Sequence, residues 1–414
     1  MTTFRHVRAD IPEAVAASPR RIVIQAGAAL AVSMGIGRFV YTPILPLMLS
    51  QAGLSAQYGS TLATANYVGY LAGALAGIFI PRLVGSARAM RTSLVVLFAT
   101  LVLMGFTENH AAWFGLRLVA GAASALVFVI AVTAMLTQLR QHSQQLVGWG
   151  FGGVGAGIAV SGLMVLVVRT TSTWRAAWWA SAVLALLLTF LAWSLRPEAA
   201  TGTQAPRRGE LPRTRPWFAA LFLSYSLEGI GYIIAGTFLV AAVNQNSPAW
   251  VGSSAWVLVG LAALPASVVW ARLGHRWSRP TLLCAALVIQ AAGIALPALV
   301  GGVAPALISA VLFGATFLGV GSIALALGAY LQFPRAVALL TTGYSVGQIL
   351  GPVIATPLVH NGYHVALLVG AALVLAAALA AAVLRIRFPH RVGAMVEPSR
   401  QHRPVAGPVA EVRS

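Results

Sequence analysis

Twelve runs of apolar residues alternate with short polar connections along most of the chain. They cover residues 22–49, 58–80, 92–107, 111–137, 145–168 and 174–195, then 217–243, 249–270, 280–300, 303–331, 336–359 and 363–384. Runs of this length match the roughly 20 apolar residues a helix needs to cross a bilayer core about 30 Å thick. The third run is the shortest, and its ends are the least sharply marked. The break at 196–216 is rich in proline, glycine and arginine and holds few residues with which to build a core. The expected organisation is a polar segment at 1–21, a six-helix bundle at 22–195, a linker at 196–216, a second six-helix bundle at 217–388 and a basic, disordered tail at 389–414.

Charge placement tests this count. All 27 basic residues are arginine, and 23 of them fall in segments on one side if the runs alternate across a membrane. Arg169 and Arg175 fall on the other side, and Arg38 and Arg117 lie within runs. Such an asymmetry is the positive-inside pattern and puts both termini in the cytoplasm; the location expected is a bacterial inner membrane. A miscounted helix would scramble the alternation. Composition agrees, with 59% hydrophobic and only 8% charged residues, where a soluble domain carries about 25% charged residues. The net charge of +19 is spread along the connections, not gathered on a folded domain, so nucleic-acid binding is not expected. The single cysteine, Cys284, supports neither a disulfide framework nor a cysteine metal site. The first 21 residues lack the apolar core of a cleaved signal peptide, so the first run is expected to act as the insertion signal.

The two groups of six runs resemble each other. Gly35-Ile36-Gly37 in the first run returns as Gly229-Ile230-Gly231 in the seventh, and Gly148-Trp149-Gly150-Phe151-Gly152 in the fifth is similar to Gly343-Tyr344-Ser345-Val346-Gly347 in the eleventh. Pro81-Arg82-Leu83 after the second run has a counterpart in Ala271-Arg272-Leu273. Matches in the same order, at offsets of about 190–195 residues, indicate a parallel duplication.

On these features the chain resembles the major facilitator superfamily over about residues 20–388. The segment from Gly35 to Pro46 and the run Glu228-Gly229-Ile230-Gly231-Tyr232 are similar to its YbfB/YjiJ branch. Arg117-Leu118-Val119-Ala120-Gly121 is similar to the superfamily's Arg-x-x-x-Gly motif, and Gly347-Gln348-Ile349-Leu350-Gly351-Pro352 to its Gly-x-x-x-Gly-Pro motif. That motif normally belongs to the fifth helix, which here has Gly157 and no proline at the matching place. The acidic residue and Gly-Arg-Arg core usual after the second helix are missing from 81–91. The resemblance implies an all-α membrane fold of two pseudo-symmetric six-helix bundles, a cavity lined by the first, fourth, seventh and tenth helices, and transport by alternating access.

Three charges lie well inside runs: Arg38, Arg117 and Glu228, on the first, fourth and seventh. An arginine or aspartate at such depth costs about 2.5–3.5 kcal/mol on insertion scales, and such residues usually have a partner or a task. Glu228, the mid-run carboxylate, is the candidate for carrying protons. A carboxylate that alternates between a desolvated setting and the neighbourhood of an arginine can load and release a proton. The other reading makes it a fixed ion-pair partner between the halves. Tyr225 and Tyr232 share its helix face and are candidates to hydrogen-bond its charged form or to stack on a substrate. Arg38 is a candidate for binding an anionic group by its guanidinium fork, with Tyr41 and Thr42 on the same face. It can equally serve to satisfy carbonyls of a helix loosened by Gly35, Gly37 and Pro43. Arg117 has the same two readings.

Asn66, Tyr67, Tyr70, Tyr344 and Gln348 are uncharged candidates for cargo contacts, or for helix–helix hydrogen bonds. Gly35, Gly37, Pro43, Gly121, Gly152, Gly347, Gly351 and Pro352 are expected in helix packing or gating. His360 and His364 lie one turn apart without a third ligand, so no metal site or cofactor is expected.

The function expected is secondary transport of a small organic molecule, anionic or zwitterionic and proton-coupled, by a monomer embedded in lipid. Efflux of lipophilic compounds by proton antiport is the alternative, in which aromatic residues would matter more than arginines. A membrane enzyme is not expected, because no cluster of nucleophile, base and metal ligands lies at membrane depth. A non-transporting receptor or scaffold with this fold would be expected to carry a soluble signalling domain, and no stretch of the sequence supplies one.

Overall fold

Small polar residues start many of the helices. Ser18, Ser55, Ser86, Asn109 and Ser278 each accept a hydrogen bond from the backbone N–H three residues on, which satisfies one of the donors left over at a helix N-terminus. In the computed structural model, which describes residues 18–170, 172–197, 214–333, 335–386 and 388, twelve helices are long and apolar enough to cross a membrane. They are α1 (Pro19–Gln51), α2 (Ala56–Phe79), α3 (Ala87–Met104), α4 (His110–Gln138), α5 (Gln145–Val168) and α6 (Trp174–Ala192), then α7 (Arg215–Gln245), α8 (Trp250–Leu273), α9 (Arg279–Leu299), α10 (Val303–Tyr330), α11 (Ala336–Ala355) and α12 (Tyr363–Val383). No strand occurs among the described residues. Most of the expected polar segment (residues 1–17), most of the linker (198–213) and the tail from 389 lie outside the described residues.

Two boundaries differ from expectation. The third span starts at Ala87, five residues before the apolar run at 92, because Ser86 caps it. Arg91 in its first turn lies over the Trp193 ring, 5.2 Å away. The eleventh stops at Ala355 and gives way to a short 3-10 turn, Val359–Asn361. The apolar stretch is longer than the helix there because Pro357, two residues past Ala355, has no N–H with which to continue the ladder, whereas Pro352 lies within the helix.

The duplication appears in the packing. Helix α1 packs on α5 and α6, α2 on α4, and α3 on α4 and α6; α7 packs on α11 and α12, α8 on α10, and α9 on α10 and α12. The two six-helix bundles meet chiefly through α5 against α8 and α2 against α11. The glycines of α5 make the first contact close: Gly155 lies against Gly260 and Leu264, and a Cβ at Gly260 would collide with the Ala159 backbone. Without a hydrophobic force between helices in lipid, such small-residue seams supply much of the association. Gly260→Val is therefore expected to lower stability by about 1–3 kcal/mol, the range for overpacking, read as a lower melting temperature in detergent. An unchanged melt would contradict this role for the seam.

Candidate functional site

The site begins where α1 departs from regular helix. From Ala31 to Ile36 the backbone widens into a π-helix, with Gly37 N–H reaching the Val32 carbonyl at 2.8 Å and Phe39 N–H the Met34 carbonyl at 3.1 Å. Residues 37–40 form a turn, and regular helix resumes at Tyr41. Pro43 offers no N–H, and Thr42 N–H bonds the Phe39 carbonyl at 3.2 Å, leaving the Arg38 carbonyl to side chains. Gly35 permits the break to sit against α5, because an added Cβ there would stand 2.6 Å from Gly157 Cα. The matching stretch of α7, Gly229-Ile230-Gly231, stays within one continuous helix. The duplicated motif thus has two backbone forms.

Arg117 repairs the break. Its two terminal nitrogens donate to the carbonyls of Gly37 (3.3 Å) and Arg38 (3.4 Å), and its guanidinium lies 4.7 Å from the Tyr41 ring centre. Tyr41 in turn donates to the Gly59 carbonyl at 2.8 Å, and Asn66 donates to the Arg117 carbonyl at 3.0 Å. Arg117 is only 2% exposed and, with Tyr41 and Asn66, lies off the cavity described below. Carbonyl satisfaction, one of the two tasks considered for Arg38, is thus performed by Arg117. Removing a partner from a buried polar group costs about 1–3 kcal/mol. Arg117→Met is expected to lower the melting temperature without changing preference between charged and neutral ligands. Lost preference at an unchanged melt would contradict that.

Arg38, also 2% exposed, points elsewhere. One terminal nitrogen donates to Gln348 Oε1 of α11, in the opposite bundle. The guanidinium lies 4.3 Å from the Tyr70 ring centre and 4.8 Å from that of Tyr67. Its Nε, like that of Arg117, has no partner among the described residues. A charge-assisted hydrogen bond is worth about 1.5–3 kcal/mol and a desolvated cation–π contact about 2 kcal/mol. Together they offset the insertion cost and leave a donor unspent. Gln348 Nε2 donates onward to the Tyr232 hydroxyl at 2.8 Å. Tyr344 lies parallel to both Tyr225 (ring centres 4.4 Å apart) and Tyr232 (5.4 Å).

These groups meet at one cavity of about 150 Å³ between the bundles, walled by Arg38, Tyr70, Tyr225, Tyr232, Tyr344 and Gln348 together with Phe128, Phe151, Phe317 and Ser267 of α8. It lies toward the end of the molecule where α6 stops and α7 starts, here the linker end. Phe151 is near the start of α5, Thr341 near the start of α11 and Leu325 near the end of α10, all at that end. The opposite, far end is sealed by contacts between the bundles. Thr42 donates to the Gly236 carbonyl, Ser60 to the Pro352 carbonyl (2.8 Å), and the Tyr67 and Thr237 hydroxyls share a bond of 2.9 Å. Phe39 packs edge-on against Trp256 and Phe317.

Glu228 lies off the cavity wall, although Tyr225 and Tyr232 on either side of it reach that wall. It is 0% exposed and forms no ion pair among the described residues. Its Oε1 accepts from Gln290 Nε2 of α9 at 3.3 Å, while its Oε2 and Gln290 Oε1 lack donors among the described residues. The fixed ion pair between bundles is therefore not what holds it. Gly121 and Gly347 are packing positions, against the backbone of Asn66 and of Ser226 and Ile230 respectively. Gln290 was missed in the sequence, though a polar residue in mid-run was the available signal. Phe128, Phe151 and Phe317 carried none, since an apolar side chain reads the same whether it faces lipid or a cavity.

Comparison with known proteins agrees with this architecture. The fold is similar to that in a crystal structure of a mutant of the nucleoside transporter NupG, with a TM-score of 0.67 and 14% sequence identity over 88% of this chain and 99% of that one. No curated protein matches the chain significantly. Residues 30–382 match the family described as "Uncharacterised MFS-type transporter YbfB". Twelve membrane helices in two duplicated bundles, closed at one end over a tyrosine- and phenylalanine-lined cavity, belong to a secondary transporter and not to an enzyme, and the chain is a member of this YbfB-type family of the major facilitator superfamily.

Proposed function

We propose that the cavity beneath Arg38 binds a small organic anion or zwitterion bearing a planar group, and that its transport is coupled to protons through Glu228. The observation that carries the first half is the unpartnered Nε of a buried arginine at the wall of a tyrosine-lined cavity. A carboxylate or phosphate accepts two parallel bonds from such a fork, and the parallel rings of Tyr225, Tyr232 and Tyr344 suit a flat moiety. Gln348 ties Arg38 to Tyr232 across the bundles. A cargo anion competing for Arg38 would loosen that tie and the tyrosine one helical turn from Glu228.

For Glu228, the supporting observation is a pair of side chains with two unmatched acceptors and no cation. A proton on the carboxyl provides a donor and removes an uncompensated buried charge. Arginine placement favours cytoplasmic termini. The cavity then belongs to an inward-facing state, and rocking of the bundles about the α5–α8 and α2–α11 contacts would expose it on the other side. The aromatic lining favours lipophilic efflux as the second reading. Ligand charge separates the two: the purified protein should be stabilised by anions under the first reading and by neutral or cationic lipophiles under the second.

A further inference from the structure

A second concavity lies on the outer surface, away from the transport pathway, between α3 and α6. It has a volume of about 340 Å³ and is walled by Leu94, Val95, Phe98, Leu186, Phe190 and Trp193, with Thr189 also on its lining. Val95, Leu186, Phe190 and Trp193 are exposed, so this wall faces lipid. At its linker end stands Arg91, one turn before Leu94 and Val95. Its guanidinium sits 5.2 Å from the Trp193 ring centre and its Nε donates to the Trp193 carbonyl at 3.3 Å. The two terminal nitrogens have no partner among the described residues. Thr189, one turn deeper than Trp193, is 5% exposed and its hydroxyl has no hydrogen-bond partner among the described residues. A helical threonine normally donates to the carbonyl one turn back, as Thr61, Thr64 and Thr342 do.

We infer that this groove is a binding site for one anionic phospholipid, independent of the cargo site. Three chemistries line up along it in the order a phospholipid presents them. A fixed guanidinium with free donors lies at the boundary, where the phosphate sits. An unpaired hydroxyl lies one helical turn, about 5.4 Å, further in, at the depth of the glycerol ester carbonyls. The apolar trough beyond it takes an acyl chain. Trp193 and Arg91 together form an interfacial anchor of the kind found at headgroup depth. A simple annular contact needs none of these polar groups. The second arginine of the same turn, Arg88, is exposed and adds to the positive field that distinguishes an anionic from a zwitterionic headgroup.

The test uses the full chain reconstituted in mixed vesicles containing phosphatidylglycerol and phosphatidylcholine, one of them brominated at a time. Quenching of Trp193, isolated as the difference between wild type and Trp193→Phe, should be at least about threefold greater with the brominated anionic lipid at equal mole fraction. Arg91→Gln should reduce that preference to near unity while leaving the protein folded, because the contacts it loses are those to the exposed Trp193 alone. Native mass spectrometry should show one phosphatidylglycerol retained by wild type and none by Arg91→Gln. Equal quenching by both lipids, or a preference that survives Arg91→Gln, would overturn the assignment.

Discussion

Arg38→Gln is expected to cut uptake of an anionic cargo by roughly 30-fold to several thousand-fold, corresponding to about 2–5 kcal/mol for losing one member of a buried charge pair. Uptake of a neutral analogue of the same shape should change by far less. The expectation rests on where the guanidinium points. It faces the cavity with a donor to spare, whereas the carbonyls of the broken helix are held by Arg117. Glutamine keeps a polar group near Gln348 and avoids opening a void, so folding should survive. Equal losses for the anion and its neutral analogue would return Arg38 to a purely structural role.

Glu228→Gln is expected to abolish cargo-driven proton movement in proteoliposomes while preserving cargo binding. The substitution is isosteric, and the amide still offers an oxygen to Gln290 and supplies a donor where the carboxylate leaves two unmatched acceptors. The variant should therefore melt no lower than wild type. Its uptake should also become indifferent to an imposed proton gradient, since the group that takes up the proton is gone. A wild-type pH response in this variant would remove Glu228 from the coupling scheme. A loss of binding equal to that of Arg38→Gln would instead make it part of the cargo site.

Much of this architecture was legible in the residues alone. Lipid imposes long apolar helices, and the arginine asymmetry sorts their ends, so hydropathy and charge together specify twelve spans. The glycine spacing of α5 announced a close seam, and Gly35, Gly37 and Pro43 announced a loosened first helix. Facing was harder to read. Arg38 and Arg117 appear at similar depth, yet Arg38, just past the π-helical widening at Ala31–Ile36, reaches the cavity, while Arg117 bonds the carbonyls of Gly37 and Arg38. Glu228 shares a helix face with Tyr225 and Tyr232, yet the tyrosines reach the cavity while the carboxylate bonds Gln290 off that wall. Helical periodicity resolves faces to about 100° per residue, which is too coarse to separate a wall from the layer behind it. The start of α3 was obscured because Arg88 and Arg91 lower the hydropathy of its first turn even though Ser86 caps it.

The measurement that bears most directly on a cargo site beneath Arg38 is a thermal-shift screen of the purified protein against small anions, zwitterions and neutral lipophiles, run in parallel on wild type and Arg38→Gln. A ligand present at 100 times its dissociation constant stabilises the folded state by about 2.7 kcal/mol, enough to raise the melt visibly. A planar anion is expected to stabilise wild type and not Arg38→Gln, with neutral lipophiles ineffective on both. Stabilisation of both proteins to the same extent, or by neutral lipophiles alone, would contradict it.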